Sequence, residues 1–372
     1  MAQIFNEDAR RIADFLEPES VHCVVTSPPY FGLRDYGVDG QIGLEGDIDT
    51  YIEALLEVFR GVWKVLRSDG TLWLNLGDSY AGAGAGAGGN KKGNERGQHD
   101  AFVGKGVRGK VPKVLKPKDL MGIPWRVAFA LQADGWYLRS DIIWHKPNPM
   151  PESVTDRPTK AHEYIFLLAK SERYYYDAYA IAEPATYRVI APGKLGAVGV
   201  SKRNDAPDVA VSHTVKDENA TRNKRSVWTI ATQPYPEAHF ATFPEKLPEL
   251  CILAGSSPQA CPKCRAPWER VLTHEKVKIS DSKRYSGVTL RNDAEDGRFQ
   301  RIGTTVGWRP TCSCPDNDGS GKCLVLDPFA GSGTTLAVAE RLQRDAVGFE
   351  LNPEYVKLIE KRLSGLQLQM VF

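Results

Sequence analysis

The sequence predicts an α/β fold in which strands and helices alternate and a mostly parallel, doubly wound sheet has helices on both faces. Three observations predict it. A β-branched run at 21–25 ends in a Pro-Pro turn, and the last fifty residues alternate apolar strands with helix-forming segments. The 42% hydrophobic share of 372 residues also suffices for a large buried core, without any apolar run long enough for a membrane span.

Hydrophobic spacing predicts the elements of the amino-terminal half. Ile52, Leu55 and Phe59 recur at helical spacing before a stop at Asp69-Gly70. β-branched and aromatic runs on either side predict strands. The predicted elements are strands at 21–25, 71–76, 137–144 and 164–169, and helices at 49–66 and 120–131.

The carboxyl-terminal half is predicted to resume this alternation after two interruptions. Residues 183–226 are rich in Pro, Gly, Ser, Asn and charge, which predicts an insertion rather than core. Residues 258–322 form a second insert, predicted to be structureless apart from two cysteine pairs. The predicted elements are helices at 244–254, 336–341 and 355–363, and strands at 323–326 and 346–349.

Basic residues are concentrated in one stretch of the chain. The net charge is only +2, yet residues 81–118 hold nine Lys and Arg against two acidic residues. The Ala/Gly alternation that opens this stretch cannot bury enough apolar surface to order itself, so a mobile loop is predicted. Its charge would suit DNA phosphates, although a solvated loop that binds nothing fits the same composition.

An adenosine-binding turn is predicted near the carboxyl terminus. An apolar strand ends at Asp327 and passes through a Gly-Ser-Gly turn into an Ala/Leu-rich helix. Small residues let a ligand approach the backbone, and the helix start offers unpaired N–H groups. A later strand ends in Glu350, whose carboxylate can accept both ribose hydroxyls, while no Gly-Lys-Ser/Thr follows to bind a triphosphate.

Several motifs together resemble one enzyme family, the amino-group DNA methyltransferases that act on cytosine N4 or adenine N6. DPFAGSGTT at 327–335 resembles the family's S-adenosylmethionine motif, and TSPPY at 26–30 resembles its catalytic loop. HFATFP at 239–244, WHKPNPMP at 144–151 and HEY at 162–164 resemble further blocks in the expected order. Because the catalytic loop precedes the cofactor motif in the chain, the resemblance is to the circularly permuted β group of the family.

The resemblance implies a Rossmann-like methyltransferase fold, S-adenosylmethionine as the cofactor and double-stranded DNA as the substrate. Thr242 and Phe243 would line the methionine end of the cofactor pocket. The full set of implied cofactor-binding residues is Thr26, Thr242, Phe243, Asp327, Pro328, Phe329, Ala330, Gly331, Ser332, Gly333, Thr334 and Glu350.

The catalytic residues predicted in the loop are Ser27, Pro28, Pro29 and Tyr30. An exocyclic amine is a poor nucleophile because its lone pair is conjugated into the ring. Ser27 Oγ and the Pro28 carbonyl are expected to accept its N–H groups, with the proline pair stiffening the loop. Tyr30 is expected to stack on a base rotated out of the duplex.

The acceptor base remains open at this stage. Ser rather than Asp at position 27 resembles the cytosine-N4 subgroup, and adenine N6 is the main alternative. Methylation of RNA or of a protein amide, where related loops occur, and a catalytically inactive zinc-bearing DNA-binding module are further alternatives.

The family's organisation implies a division of the chain. Residues 1–181 would form the catalytic half, 237–257 and 323–372 the cofactor half, and 182–236 the target-recognition region. A cognate restriction endonuclease is a possible partner, and the oligomeric state stays open. Charged residues scattered through the amino terminus do not resemble a secretory signal, so a cytoplasmic location is expected.

Four of the seven cysteines form two close pairs with the spacing of metal ligands. Cys261/Cys264 and Cys312/Cys314 could close a tetrahedral zinc site, in which His274 or Cys323 could replace one thiolate. Such a zinc would be structural, because four protein ligands leave no position for substrate. Unligated thiols are the alternative.

Overall fold

The computed structural model describes residues 2–82, 115–190, 213–233, 243–280 and 298–369. The loop predicted to be mobile at 81–118 therefore lies largely outside the described residues. The described chain forms two compact units: the larger comprises Met1–Asp177, Arg225–Glu269 and Pro310–Phe372, and the smaller Ala178–Lys224 and Arg270–Arg309.

Strands and helices alternate through the larger unit, as the sequence predicts. The strands of the described residues are β1 Ala2–Phe5, β2 Val21–Thr26, β3 Leu66–Leu76, β4 Tyr137–His145, β5 His162–Ala169, β6 Glu183–Ile190, β7 His213–Arg222, β8 Val227–Thr229, β9 Glu269–Ser280, β10 Arg298–Arg309, β11 Leu324–Asp327 and β12 Asp345–Phe349. The α-helices are α1 Ile12–Phe15, α2 Ile48–Val65, α3 Ile123–Ala133, α4 Lys246–Gly255, α5 Thr334–Arg341 and α6 Pro353–Gln369.

One eight-stranded sheet organises the larger unit, in the order β1-β12-β11-β2-β3-β5-β4-β8. The pairs from β1 to β3 are parallel, β5 is antiparallel to both of its neighbours, and β4 and β8 are parallel. The predicted mostly parallel sheet is therefore confirmed. β2 and β11 are adjacent although they lie about three hundred residues apart in sequence, with Val24 opposite Leu326.

Helices cover both faces of the sheet because successive strand residues point to opposite sides. Val24 and Leu72 face the core that α2 and α3 close. On the other face α4 approaches closely: a Cβ on Gly255 would lie 2.7 Å from Cys23 Sγ and 2.8 Å from Trp73 Nε1. Only glycine allows this distance between the helix and the sheet.

The α2 helix begins at a side-chain cap and buries one continuous face. Asp47 Oδ1 accepts a hydrogen bond of 2.9 Å from the Thr50 amide, which satisfies one of the unpaired donors at the helix start. Tyr51, Leu55 and Phe59 then recur on the buried side with no exposed surface. The helical spacing seen in the sequence thus corresponds to a face packed on the sheet.

The smaller unit corrects the prediction that the second insert, 258–322, is structureless, and it adds two strands that were not predicted within the first insertion. β6 and β7 pair antiparallel, and β9 and β10 form a second two-stranded sheet. β7 has the sequence HTVKDENATR and contains few of the apolar residues that mark a strand. It can still form a strand because a two-stranded pairing depends on backbone hydrogen bonds, which polar residues can also make. Across the described part of the chain, no helix combines the length and hydrophobicity needed to cross a bilayer.

Candidate active site

The two loops singled out in the sequence lie at one edge of the sheet. β2 ends at Thr26 and β11 at Asp327, and the two strands are parallel neighbours, so their carboxyl ends coincide. Thr26 Oγ1 donates a hydrogen bond of 2.6 Å to Asp327 Oδ1, and Thr335 Oγ1 donates to the Val25 carbonyl at 3.3 Å. The catalytic and cofactor loops are therefore joined directly at their bases.

Glycines shape the cofactor loop. Gly331 and Gly333 have φ of 54° and 74°, in the left-handed region that side chains disfavour. The Gly331 amide donates to Glu350 Oε2 at 2.9 Å, and the Asn352 amide donates to Oε1 at 2.8 Å. These two bonds hold the carboxylate at the end of β12 against the loop that follows β11.

Burial perturbs both carboxylates of the cofactor loop. It raises the pKa of Asp327 to about 6, although hydrogen bonds from Thr26, Thr335 and the Phe329 amide partly oppose the shift. It likewise raises the pKa of Glu350 to about 7. Asp327 is 1% exposed, and its Oδ2 has no hydrogen-bond partner among the described residues. A buried carboxylate oxygen without a partner suits a cationic ligand group.

Arg362 of α6 holds the cofactor loop in place through hydrogen bonds. Its guanidinium donates to the Ser332 carbonyl at 3.2 Å and to Thr334 Oγ1 at 3.0 Å. A third bond of 2.8 Å reaches Glu245 Oε1, and Glu245 also pairs with Arg341. These bonds link the start of α4 to α5 and α6, and no sequence motif indicated them.

The catalytic loop meets a polar network contributed by β3, β5 and the residue that follows β4. Tyr30 donates through its hydroxyl to Glu163 Oε2 at 2.8 Å, and Ser27 Oγ lies 3.4 Å from the same hydroxyl. Asn75 Nδ2 donates to Glu163 Oε2 at 3.1 Å, while Lys146 pairs with Oε1. Burial, followed by the charge of Glu163, raises the pKa of Tyr30 well above its usual value, so the phenol stays neutral.

Two contacts fix the backbone and ring of the catalytic loop. Tyr51 of α2 donates through its hydroxyl to the Pro29 carbonyl at 2.8 Å. A Cβ on Gly77 would lie 2.6 Å from Tyr30 Cε2 and 3.3 Å from the Glu163 carboxyl carbon. The residue after β3 must therefore lack a side chain for Tyr30 to occupy its position.

Both loops line one cavity of about 960 Å³. All four predicted catalytic residues line it, as do eight of the predicted cofactor residues: Phe243, Pro328, Phe329, Ala330, Gly331, Ser332, Thr334 and Glu350. Thr26, Asp327 and Gly333 are not among its lining residues, and Thr242 lies outside the described residues. The volume is at the upper end of the range for single-ligand pockets, so a cofactor and a base can share it.

Comparison with known proteins identifies the family. A model of the N6/N4 methyltransferase family, described as DNA methylase, matches residues 21–261 and 313–361. The chain belongs to this family. It is 41% identical over 358 residues to the type II methyltransferase M.SmaI of Serratia marcescens, which covers 96% of this chain and 88% of that protein. It is 39% identical to the type II methyltransferase M.Cfr9I of Citrobacter freundii, covering 98% and 88%.

One solved structure supports the fold. The structure described as PvuII DNA methyltransferase (cytosine-N4-specific) matches with a TM-score of 0.54 and 18% identity, over 97% of this chain and 86% of that one. Family membership and the close relatives confirm the predicted enzyme class, an S-adenosylmethionine-dependent amino-methyltransferase of DNA. Cytosine N4 and adenine N6 are both compatible with it.

Within this DNA methylase, the sequence reasoning missed the partners of Tyr30. Lys146 and Glu163 lie in the WHKPNPMP and HEY blocks, yet the motifs alone assigned them no role. They meet because β4 and β5 are antiparallel neighbours that pair His145 with His162, one residue before each of them. A signal was available for Lys146, a charged residue just after a predicted strand, because the prediction placed the site at the carboxyl ends of the strands. Glu163 lies at the amino end of β5 and reaches the same edge only because β5 is antiparallel to its neighbours.

The two cysteine pairs of this methylase come together. The sulfur atoms of Cys261, Cys264, Cys312 and Cys314 all lie within 4.8 Å of one another. Of the alternative ligands, Cys323 is not part of this group, and the side chain of His274 lies outside the part of the chain that the structure describes. Cys323 is instead buried, with its thiol 3.9 Å from the Gln259 carbonyl.

Proposed function

We propose that this DNA methylase transfers the methyl group of S-adenosylmethionine to N4 of a cytosine that is rotated out of duplex DNA. The observation that carries the proposal is the hydrogen bond of 2.6 Å between Thr26 and Asp327, which joins the two loops beside one cavity. A transferable methyl group and an acceptor amine can meet only where a cofactor loop and an acceptor loop adjoin.

The residues present fit S-adenosylmethionine. Each Glu350 oxygen accepts one backbone N–H and keeps a lone pair, so the carboxylate can also accept the ribose hydroxyls. Asp327 Oδ2, buried and without a partner, supplies negative charge for the cationic end of the molecule. Phe243 lines the cavity beside the same loop, and Thr26 and Thr242 complete the proposed set.

Positioning carries the catalysis. When bound, the cofactor supplies a methyl group on a sulfonium, which is a good leaving group. Ser27 Oγ and the Pro28 carbonyl accept the two N–H bonds of the target amine, so its lone pair is freed from the ring and directed at the methyl carbon. The methylated nitrogen carries one proton too many and loses it to water. Neither a covalent intermediate nor a strong base is needed.

Tyr30 and Lys146 suit a cytosine that has left the helix. The Tyr30 ring, held by Glu163, offers a face on which the flipped base stacks. Lys146 also lines the cavity, and its ammonium can donate to a second acceptor on the base edge. Cytosine carries the O2 carbonyl there, where adenine carries only C–H, and Ser27 resembles the cytosine subgroup.

Two segments of the chain are proposed to contact DNA. Region 182–236 is proposed to read the target sequence, and the basic stretch 81–118 to neutralise phosphates. We propose that the catalytic half comprises 1–181 and the cofactor half 237–257 with 323–372. The cysteine-containing insert comprises 258–322. A restriction endonuclease that cuts the same sequence is the partner we infer.

Nucleoside analysis tests the base. Unmethylated duplex DNA is incubated with the full chain and deuteromethyl S-adenosylmethionine, digested, and resolved by mass spectrometry. We expect labelled N4-methyldeoxycytidine. Labelled N6-methyladenine would overturn the cytosine assignment and leave the enzyme class intact, whereas label in RNA or protein but not in DNA would overturn the substrate.

One variant separates the acceptor site from the cofactor site. Ser27→Ala is expected to lose transfer while it still binds S-adenosylmethionine, because Ser27 contacts only the amine in this proposal. The alternative is a catalytically inactive, zinc-bearing DNA-binding module. It would be favoured if both the wild type and the variant bind DNA and neither methylates it.

A further inference from the structure

The four-cysteine cluster has the dimensions of a closed zinc site. Tetrahedral zinc with thiolate bonds of about 2.3 Å separates its sulfur atoms by about 3.8 Å. The four sulfur atoms of the cluster lie within 4.8 Å of one another, and all four cysteines are free rather than paired in disulfides. Two pairs from opposite ends of the insert thus meet at a spacing that one ion can bridge.

Hydrogen bonds around the sulfur atoms suit thiolate ligands. The backbone amides of Lys263 and Cys264 donate to the Cys261 sulfur. Asn317 Nδ2 donates to Cys312 Sγ at 3.3 Å. N–H donors directed at ligating sulfur are typical of the outer contacts that orient metal ligands. The loops that carry the cysteines therefore already direct N–H donors at the sulfur atoms, as they would in a metal site.

The first cysteine pair also contacts the amino-terminal edge of the sheet. The Cys264 carbonyl accepts a hydrogen bond of 3.0 Å from Arg67, which lies at the start of β3. The adjacent Arg265 carbonyl lies 2.6 Å from His22 Nε2, at the start of β2. This edge is opposite the one that carries the catalytic loop, so an ion here is remote from the reaction.

His22 connects the cysteine cluster to the cofactor strand. The Leu324 amide, at the start of β11, donates to His22 Nδ1 at 2.9 Å, so Nε2 must carry the proton that the Arg265 carbonyl accepts. The imidazole is 4% exposed, and burial lowers its pKa to about 4, so it stays neutral. One neutral ring thus bridges the cysteine loop and β11.

We propose that Cys261, Cys264, Cys312 and Cys314 bind one structural zinc ion and that the bound knuckle, through His22, clamps the starts of β2 and β11. These two strands carry Ser27 and Asp327 at their other ends. The ion therefore helps to fix the positions of β2 and β11, and through them the positions of the two loops. It takes no part in methyl transfer. The proposal is independent of which base is methylated.

Metal analysis tests the site. The full chain, purified without chelator, is expected to contain about one zinc per chain, released when a mercurial reagent titrates the thiols. Cys314→Ser is expected to lose most of the zinc. Cys251→Ala, which removes a buried thiol outside the cluster, is the matched control and is expected to retain it. Zinc-free protein with Cys261 or Cys264 in a disulfide would overturn the proposal.

Hydrogen exchange tests the clamp. Removing zinc from the wild-type chain is expected to speed exchange of the Leu324 amide about tenfold, because its acceptor His22 loses a fixed partner. Amides within α2, such as Leu55, serve as the internal control. In His22→Ala, zinc content is expected to stay near one per chain, while zinc removal no longer changes exchange in β11.

Two results would contradict the clamp specifically. Loss of zinc in His22→Ala would mean that this residue supports the ligands rather than linking them to β11. Unchanged exchange at Leu324 after zinc removal from the wild type would show that the cluster is not coupled to the sheet. A metal content near zero, with normal methylation, would overturn both parts of the proposal and leave the methyltransferase function standing.

Discussion

The Tyr30 hydroxyl donates a hydrogen bond of 2.8 Å to Glu163, a residue 133 positions away on β5. Glu163 is itself held by Asn75 and Lys146. Because Tyr30 is the aromatic side chain of the catalytic loop, Glu163 determines where its ring stands in the cavity. A residue that no motif assigned to the site thus positions one that the motif did assign.

Glu163→Gln is expected to slow methyl transfer about tenfold to a hundredfold, because the bonds from Tyr30 and Lys146 lose their charged acceptor. Affinity for S-adenosylmethionine is expected to be unchanged. Single-turnover rates measure the first quantity and calorimetry the second. Tyr30→Phe is the matched variant: if Glu163 acts through the hydroxyl, the double variant is no slower than Glu163→Gln alone. Additive losses would contradict that role.

Ser27→Ala is expected to lower kcat by about a hundredfold to a thousandfold, the usual effect of removing one oriented hydrogen-bond partner from a reacting group. Binding of S-adenosylmethionine and the extent of base flipping are expected to stay the same. Fluorescence of 2-aminopurine at the target position reports flipping, and quench-flow measurements report chemistry. Equal losses in flipping and in chemistry would show that Ser27 acts on base capture instead.

Cofactor affinity is expected to rise with pH between about 5.5 and 8. Burial raises the pKa of Asp327 to about 6 and that of Glu350 to about 7, and the cationic cofactor favours their ionised forms. Binding should therefore release protons, which calorimetry in buffers of different ionisation enthalpy detects. Asp327→Asn is expected to flatten the lower part of the profile. An affinity independent of pH would exclude these carboxylates as the partners of the cofactor.

The same pKa shifts predict the opposite trend for stability of the ligand-free chain. A carboxyl group whose pKa is raised on folding binds its proton more tightly in the folded state. Its contribution to stability is thus fully present below the ordinary pKa values of 3.8 for Asp327 and 4.5 for Glu350, and it is lost as the pH rises from there through about 6 and about 7, respectively. Melting temperatures measured without cofactor are expected to decline across this window. The increase in melting temperature on adding cofactor is expected to become larger as the pH rises.

Gly77→Ala is expected to impair both folding and catalysis. The new Cβ would lie 2.6 Å from the Tyr30 ring, so the ring must move, at a cost of about 1–3 kcal/mol in unfolding free energy. Gly46→Ala is the control, since a Cβ there meets nothing within 4 Å. Urea denaturation and methyl-transfer rates measure the two effects. Equal stability and activity in the two variants would contradict the packing described around Tyr30.

Local patterns in the chain predicted most elements of the larger unit. Apolar spacing at 49–66 predicted a helix that begins at Ile48, and the run at 21–25 predicted β2, because each element buries one face of regular period. β1, α1, β8 and the strands of the smaller unit escaped prediction. β1, α1 and β8 have four residues or fewer, and the others pair in two-stranded sheets, so none gives a periodic apolar signal.

By itself, the sequence determined the fold class and the enzyme family, and it singled out the two loops that we propose for the active site, since these depend on residues that are close together in the chain. Only the tertiary structure decided which distant residues complete the site. Glu163 reaches Tyr30, Arg362 braces Ser332, and His22 joins the cysteine loop to β11 through strand order and register. Register is set by the packing of the whole sheet, and no local pattern encodes it.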